Sequence, residues 1–379
     1  MGLGLPLLLA PAIAAVAAQD VEVFLHGQAG YPCIRTPSLI TTGGALVAFA
    51  GTRFGPGDGC IPTVPYNKSC DHDDTVMRKS TDRGVSWGPI RVLSIAPHRG
   101  GKGVRNHGAS LWDAVGKQIV LVLSVAPTDT LAVIRSSDEG ETWTPPRPLH
   151  ELGDDSGAHI SPGRGLQLSP SHAHAGRILF VAQLSVNTGN VIFYSDDGGK
   201  SWAKSPTIVQ HCNEAQMVEL ADGRLLLNAR DEDHRHNASV ASGARRFSHS
   251  LDGGHTWEPL GVLREDLGDT NCMGSFLAAD AQSRALLFSH PNAAGRVNGT
   301  VWISYDQAQT FSPLLAVTPA NSSQGFAYSC MTRLPAHAEG TAPEIGLLYE
   351  TGDPGRCKPP RYRCHLGCIL LMMTERYCC

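Results

Sequence analysis

The stretch Tyr194-Ser195-Asp196-Asp197-Gly198-Gly199-Lys200-Ser201-Trp202 decides the fold. Its core pattern, S-x-D-x-G-x-x-W, is intact at Ser80, Ser136, Ser195 and Ser250, and a worn copy reads Ser304-x-Asp306-x-Ala308-x-x-Phe311. The starting serines recur every 54 to 59 residues, and a fixed period of that size is the mark of a repeat architecture. In each copy the Asp can accept backbone N–H groups two residues on, and the Gly supplies a positive φ. The Trp then gives the following strand a large apolar group to bury. These boxes are turns with an anchor, so Asp82, Asp138, Asp197, Asp252 and Asp306 are expected to be structural and not catalytic.

The chain between boxes reads as short strands broken by turns, with no long amphipathic helix. The repeat around Glu214 is the clearest. Met217-Val218-Glu219-Leu220 is strand-like, Ala221-Asp222-Gly223 a turn, and Arg224 to Arg230 a second strand. Arg245 to His249 makes a third, and the box at Ser250 turns the chain into a fourth. Four antiparallel strands per repeat make a propeller blade. The expectation is an all-β, six-bladed β-propeller of four-stranded antiparallel blades, with Val21 to Leu25 closing the ring against the last repeat. Box and Ala221-Asp222-Gly223 turn then share one face. Glu214 and Arg230 each lie eight residues from Asp222 and meet at the opposite end, and the hairpin around Thr42-Gly43-Gly44 sends Arg35 and Arg53 to that same end.

The 379 residues are 42% hydrophobic with 41 Gly and 25 Pro, a globular composition suited to many turns. A net charge of −4 argues against a nucleic-acid partner. Leu3 to Ala18 is an apolar run ending in small residues, like a secretory signal, and no later stretch is long enough to span a bilayer, so no stable membrane insertion is expected. Asn67, Asn237, Asn298 and Asn321 begin glycosylation triplets, which fit a secretory route to a secreted or lysosome-like location. The expected division is a signal peptide at 1–18, a propeller at 19–356 and an atypical Cys-rich tail at 357–379. Among the 11 Cys, Cys60 and Cys70 could pair in an oxidising compartment. Cys33, Cys212, Cys272 and Cys330 read as small buried apolar residues. The tail cysteines fit no common zinc spacing.

From about Val21 to Glu350 the chain resembles the sialidase (neuraminidase) family with Asp boxes. The boxes carry the resemblance, together with Ile34-Arg35-Thr36-Pro37-Ser38-Leu39, Asn213-Glu214, Asn228-Ala229-Arg230, Gly163-Arg164-Gly165-Leu166-Gln167-Leu168, Gly295-Arg296-Val297-Asn298, Tyr328-Ser329 and Leu347-Leu348-Tyr349-Glu350. It implies exo-hydrolysis of terminal α-linked sialic acid with retention, on a sialylated glycan and without metal or cofactor. Arg35, Arg230 and Arg296 would clamp the substrate carboxylate through charge-assisted bonds, and Glu350 would hold Arg35. A carboxylate nucleophile would be repelled by that substrate, and sialidases use a tyrosine instead. Tyr328 matches it, with Glu214 as the base that draws off a phenolic proton of pKa near 10. The acid/base is Asp71 in Cys70-Asp71-His72-Asp73-Asp74, with Asp58 the alternative. Arg53 would bind substrate or brace the acid/base loop. Thr36 departs from the family, which has an aliphatic residue between Arg and Pro. A catalytically silent glycan-binding propeller, a sialic-acid transferase and a hydrolase for the deaminated sugar are the other readings.

Overall fold

A computed structural model describes residues 12–17, 20–31, 33–53, 74–93, 105–125, 130–153, 158–184, 189–231, 245–260, 267–268, 270–279, 285–293, 295–319, 324–334, 344–352 and 365–376. The fold is an all-β propeller: these residues form six sheets, each built mainly from consecutive antiparallel strands. In the sheet that carries Glu214 the order is Cys212–Glu219, Leu225–Asp231, Arg246–Ser250 and Glu258–Pro259, the meander that the sequence pattern implies.

The first strands line the centre. Cys33–Thr41 packs on Arg105–Asp113 at one side and on Gly325–Arg333 at the other, and Ser275–Ala278 bridges Cys212–Glu219 to Gly325–Arg333. The sheets thus follow one another in chain order and the last returns to the first. Closure is by the N-terminal segment, as expected. Val21–Leu25 pairs antiparallel with His365–Arg376 and so enters the sheet of the last repeat.

One expectation at the C-terminal end and one for a cysteine need correction. The Cys-rich tail was set apart from the propeller, yet His365–Arg376 within it is a 12-residue strand paired with Glu344–Gly352. A strand covered on both faces reads as a continuous apolar run, and Cys368-Ile369-Leu370-Leu371-Met372-Met373 is such a run in the sequence. Ala12–Ala17, inside the leader-like segment, pairs with 371–376 of the same strand. Cys33 is also corrected: it is buried as expected but disulfide-bonded. Cys212, Cys272 and Cys330 are free and buried, while Cys60 and Cys70 lie outside the described residues.

The boxes show why the period recurs. Ser195 Oγ donates to Asp197 Oδ1 (2.8 Å) and accepts from Gly199 N (2.7 Å). Asp197 in turn accepts from Ser201 N (2.9 Å) and Ser201 Oγ (2.6 Å). The same bonds close the turns at Ser80, Ser136, Ser250 and Ser304. Gly84, Gly140, Gly199 and Gly254 hold φ between 82° and 92°, and the worn copy keeps that shape with Ala308 at 67°, at a strain cost of about 1 kcal/mol.

Each box aromatic packs against the preceding sheet. Trp202 joins Phe193 and Phe180 to Val120 and Val122, Trp257 joins Leu225 and Leu227 to Leu179 and Val181, and Phe311 joins Phe288 to Phe247 and Leu226. Burying a Trp removes about 200 Å² from water, worth about 5 kcal/mol as an upper estimate. The repeat unit is therefore a turn plus a wedge between sheets.

Candidate active site

The site lies at the end of the sheets opposite the boxes. Ser80, which starts a box, pairs with Leu46 at one end of its sheet, while Arg35 pairs with Gly51 and Cys33 with Arg53 at the other. Four first strands are bulged at this far end: between Arg35 and Ser38, between Arg105 and Gly108, between Cys212 and Ala215, and between Phe326 and Ser329. A bulge re-aims a side chain that regular pleating would send along the sheet. Three of these bulged segments carry Arg35, Glu214 and Tyr328, one from each of three sheets.

These residues converge. Tyr328 Oη donates to Glu214 Oε1 at 2.6 Å across 114 residues of chain, and Arg230 Nη1 donates to Glu214 Oε2 at 2.8 Å. All three side chains are buried. Arg35 and Arg296 each place a guanidinium carbon 5.3 Å from the centre of the Tyr328 ring, within cation–π range. Three arginines therefore surround one phenol and one carboxylate.

Glu350 holds Arg35 by a two-point contact, from Nε to Oε1 at 3.2 Å and from Nη2 to Oε2 at 2.9 Å. The Thr36 backbone N–H donates to the same Oε1 at 2.8 Å. Thr36 sits at φ 57°, a costly conformation for a β-branched residue. The strained residue is the one whose N–H bonds Glu350. Its hydroxyl donates to the Arg35 carbonyl at 2.7 Å, a bond open to Thr and closed to the aliphatic residue it replaces.

The charges support one another. Burial pushes the Tyr328 hydroxyl well above its ordinary pKa of 10, and the Glu214 charge raises it further against the pull of Arg230 and Arg296. The phenol is neutral at neutral pH and is the donor in the Glu214 bond. Burial works to lower the Arg230 pKa, but Glu214 and then Tyr328 outweigh it and the group stays charged. Arg296 is raised likewise against its burial, by Cys272 and then Tyr328.

One residue of the cluster has no motif. Asn271 accepts from Arg230 Nε through its side-chain Oδ1 and from Arg296 Nη2 through its backbone carbonyl, the latter at 3.0 Å. It has φ 55°, a backbone shape that Asn tolerates better than most residues. An isolated Asn in a loop offers no sequence signal for this; only the fold brings it under two arginines. Arg53 has its backbone at the correct end, while its side chain, Asp71 and Asp58 lie outside the described residues. The neighbouring Asp74 accepts from Tyr31 Oη at 2.6 Å.

Comparison with known proteins gives the family. Residues 68–339 match the BNR repeat-like domain. The chain belongs to that family. It is 31% identical over 370 residues to a sialidase of Micromonospora viridifaciens, covering 88% of this chain and 52% of that one. It is 28% identical to a sialidase of Bacteroides fragilis, with 84% and 60% covered, and 30% identical to the anhydrosialidase of Macrobdella decora, with 61% and 31% covered. The chain thus spans about half to three-fifths of the length of the first two relatives. Among solved structures, the Hadza microbial sialidase Hz136 superposes with a TM-score of 0.70 at 23% identity over 94% of this chain and 68% of that one. The leech intramolecular trans-sialidase gives 0.68 at 20% identity, with 95% and 70% covered.

Proposed function

We propose that this BNR-repeat propeller is a retaining exo-α-sialidase, in which each of the six sheets is one blade of the ring. The observation that carries the reading is the buried 2.6 Å contact from Tyr328 Oη to Glu214 Oε1, set among Arg35, Arg230 and Arg296. A binding module for acidic sugars needs the arginines. It has no use for a buried phenol paired to a carboxylate.

In the proposed mechanism the three arginines take the sialic-acid carboxylate and fix the anomeric carbon above Tyr328. Glu214 accepts the phenolic proton as Tyr328 Oη bonds to that carbon. The bond to the leaving oxygen breaks, and Asp71, with Asp58 the alternative, gives that oxygen a proton. In the second half the same Asp draws a proton from water, the water oxygen displaces Tyr328, and Glu214 returns the proton to the phenolate. Two displacements give retention. A phenol is a poor nucleophile while protonated, and this one is held protonated by burial, so the adjacent base is required. Arg53 would act at the substrate rim or as a brace for the acid/base loop. The substrates would be terminal sialosides on glycoproteins, glycolipids and oligosaccharides.

The test is release of fluorophore from an α-sialoside by purified, folded protein between pH 4 and 7. Turnover that falls at least about 10³-fold in Tyr328→Phe supports the reading. No turnover by the wild-type protein refutes the hydrolase, and an unchanged rate in Tyr328→Phe removes that residue from its role. Comparing Asp71→Asn with Asp58→Asn assigns the acid/base. Identifying the sugar released separates hydrolysis from the formation of an anhydro sugar, the possibility raised by the anhydrosialidase relative.

A further inference from the structure

A second space opens on the box side of the propeller. It is a cavity of about 1270 Å³, walled by the Ala221-Asp222-Gly223 turn, by 169–174 and by the box residues Asp252 and Gly253. Its lining includes Arg164, which occupies an unusual position. The innermost strand of its sheet is broken: His159–Ile160 and Leu166–Gln167 pair with Ile178–Gln183, while Gly163–Arg164 between them crosses to pair in parallel with the Arg105–Asp113 strand of the preceding sheet. Gly163 makes the crossing possible. It has φ 98°, and a Cβ there would meet Gln216 Nε2 at 1.8 Å.

From this crossing Arg164 Nη2 donates to the Phe276 carbonyl at 3.0 Å. Among the described residues, that is the one bond made by a guanidinium with five N–H donors, and its Nε has no acceptor. Each carboxylate lining the cavity is engaged elsewhere. Glu219 accepts from Ser169 N and Oγ, Asp222 from Arg224, and Asp252 from Thr256 and Ser250. Burial pushes the Arg164 pKa down to about 10, Cys330 works against that, and the charge of Arg333 adds to the lowering. Arg333 lines the same cavity. Three arginines thus line one space: Arg224 is paired with Asp222, and no lining carboxylate bonds Arg164. Arg164 is half-buried; leaving such a charge unpaired is costly, and an oxoanion is the partner that best satisfies guanidinium donors.

We propose that the box-side cavity is an anion site, in which Arg164 and Arg333 bind a small oxoanion, phosphate or a carboxylate, separately from the arginine cluster at the opposite end. The probe is inorganic phosphate, titrated by calorimetry at constant ionic strength, with acetate as the arm that separates a planar carboxylate from a tetrahedral anion. The host is the Arg296→Gln protein, so that the opposite cluster is already weakened as a competing site. One saturable site is expected there, with affinity at least about tenfold weaker after Arg333→Gln and lost after Arg164→Gln. If Arg164→Gln fails to fold, the exposed Arg333 decides alone. Absence of saturable binding of either anion in the folded host, or an affinity that neither substitution changes, overturns the proposal.

Discussion

Replacing Glu350 by Gln keeps the shape of the side chain and removes its charge. Arg35 and Glu350 are 10% and 11% exposed, so the pair is close to fully desolvated. Breaking one partner of a buried pair costs about 3–5 kcal/mol. The amide oxygen can still accept from Thr36 N or from Arg35 Nε, but the amide NH₂ must face Arg35 Nη2, donor against donor. One acceptor is kept, which places the loss near the low end, at about 3 kcal/mol. Relaxation of the Thr36 left-handed backbone, which costs about 1–3 kcal/mol and is held by the N–H bond to the same carboxylate, would offset part of that loss. In solution, urea unfolding followed by Trp fluorescence should show a midpoint shift of that size. With Arg35 no longer aimed, kcat/KM on a fluorogenic sialoside should fall about 100-fold, mostly through KM. A stability within about 0.5 kcal/mol of wild type together with an unchanged KM would refute the account of how Arg35 is held.

Asn271→Gly preserves the positive φ and the carbonyl to Arg296 but removes the acceptor for Arg230 Nε. It should raise KM several-fold with kcat little changed, and Asn271→Ala, which adds backbone strain, should do more; wild-type kinetics in the Gly variant would exclude the side chain from positioning Arg230. Asp197→Ala in the central box should lower Tm by a few degrees and leave kcat unchanged, and a selective loss of kcat would contradict the structural role of the boxes. Burial raises Asp197, but the Ser201 hydroxyl and N–H bring it down to about 2, and the Ser86 hydroxyl and N–H bring Asp82 to about 2. A carboxylate depressed on folding contributes stability above its unfolded pKa near 4, lost as pH falls toward 2; the Asp82→Asn variant should therefore lose less stability than wild type over that window in acid titrations followed by circular dichroism. At the alkaline end, Tyr328 is raised by burial and then by Glu214. Its contribution is complete below the ordinary tyrosine pKa near 10 and fades above it, so Tyr328→Phe should show a shallower loss of stability between about pH 10 and 12.

Much of this was legible because the fold is periodic. One box fixes one turn, and the box at Ser195 with its copies fixes which face holds the chemistry; the structure places Arg35, Glu214 and Arg230 on the face so deduced. The contact of Tyr328 with Glu214 was legible only through family resemblance, because no local rule links residues 114 apart. Asn271 and the crossing of Gly163–Arg164 were hidden for a different reason: each depends on where a loop or broken strand runs once all sheets are assembled. The tail was set apart because continuous apolar runs and alternating ones both make strands, and the pattern depends on whether one face of the sheet or both are covered. Thr36 stood out in the sequence as a departure, and its hydroxyl and twisted backbone now give that departure a physical sense.

The central claim is that Tyr328 forms the bond to sugar. A 2,3-difluoro sialic acid, whose glycosyl-enzyme intermediate breaks down slowly, should add its glycosyl mass once to the intact wild-type protein, and peptide mapping should locate it on Tyr328, with no adduct on Tyr328→Phe. An adduct on Glu214 or another carboxylate, or the same labelling of Tyr328→Phe, would contradict the account.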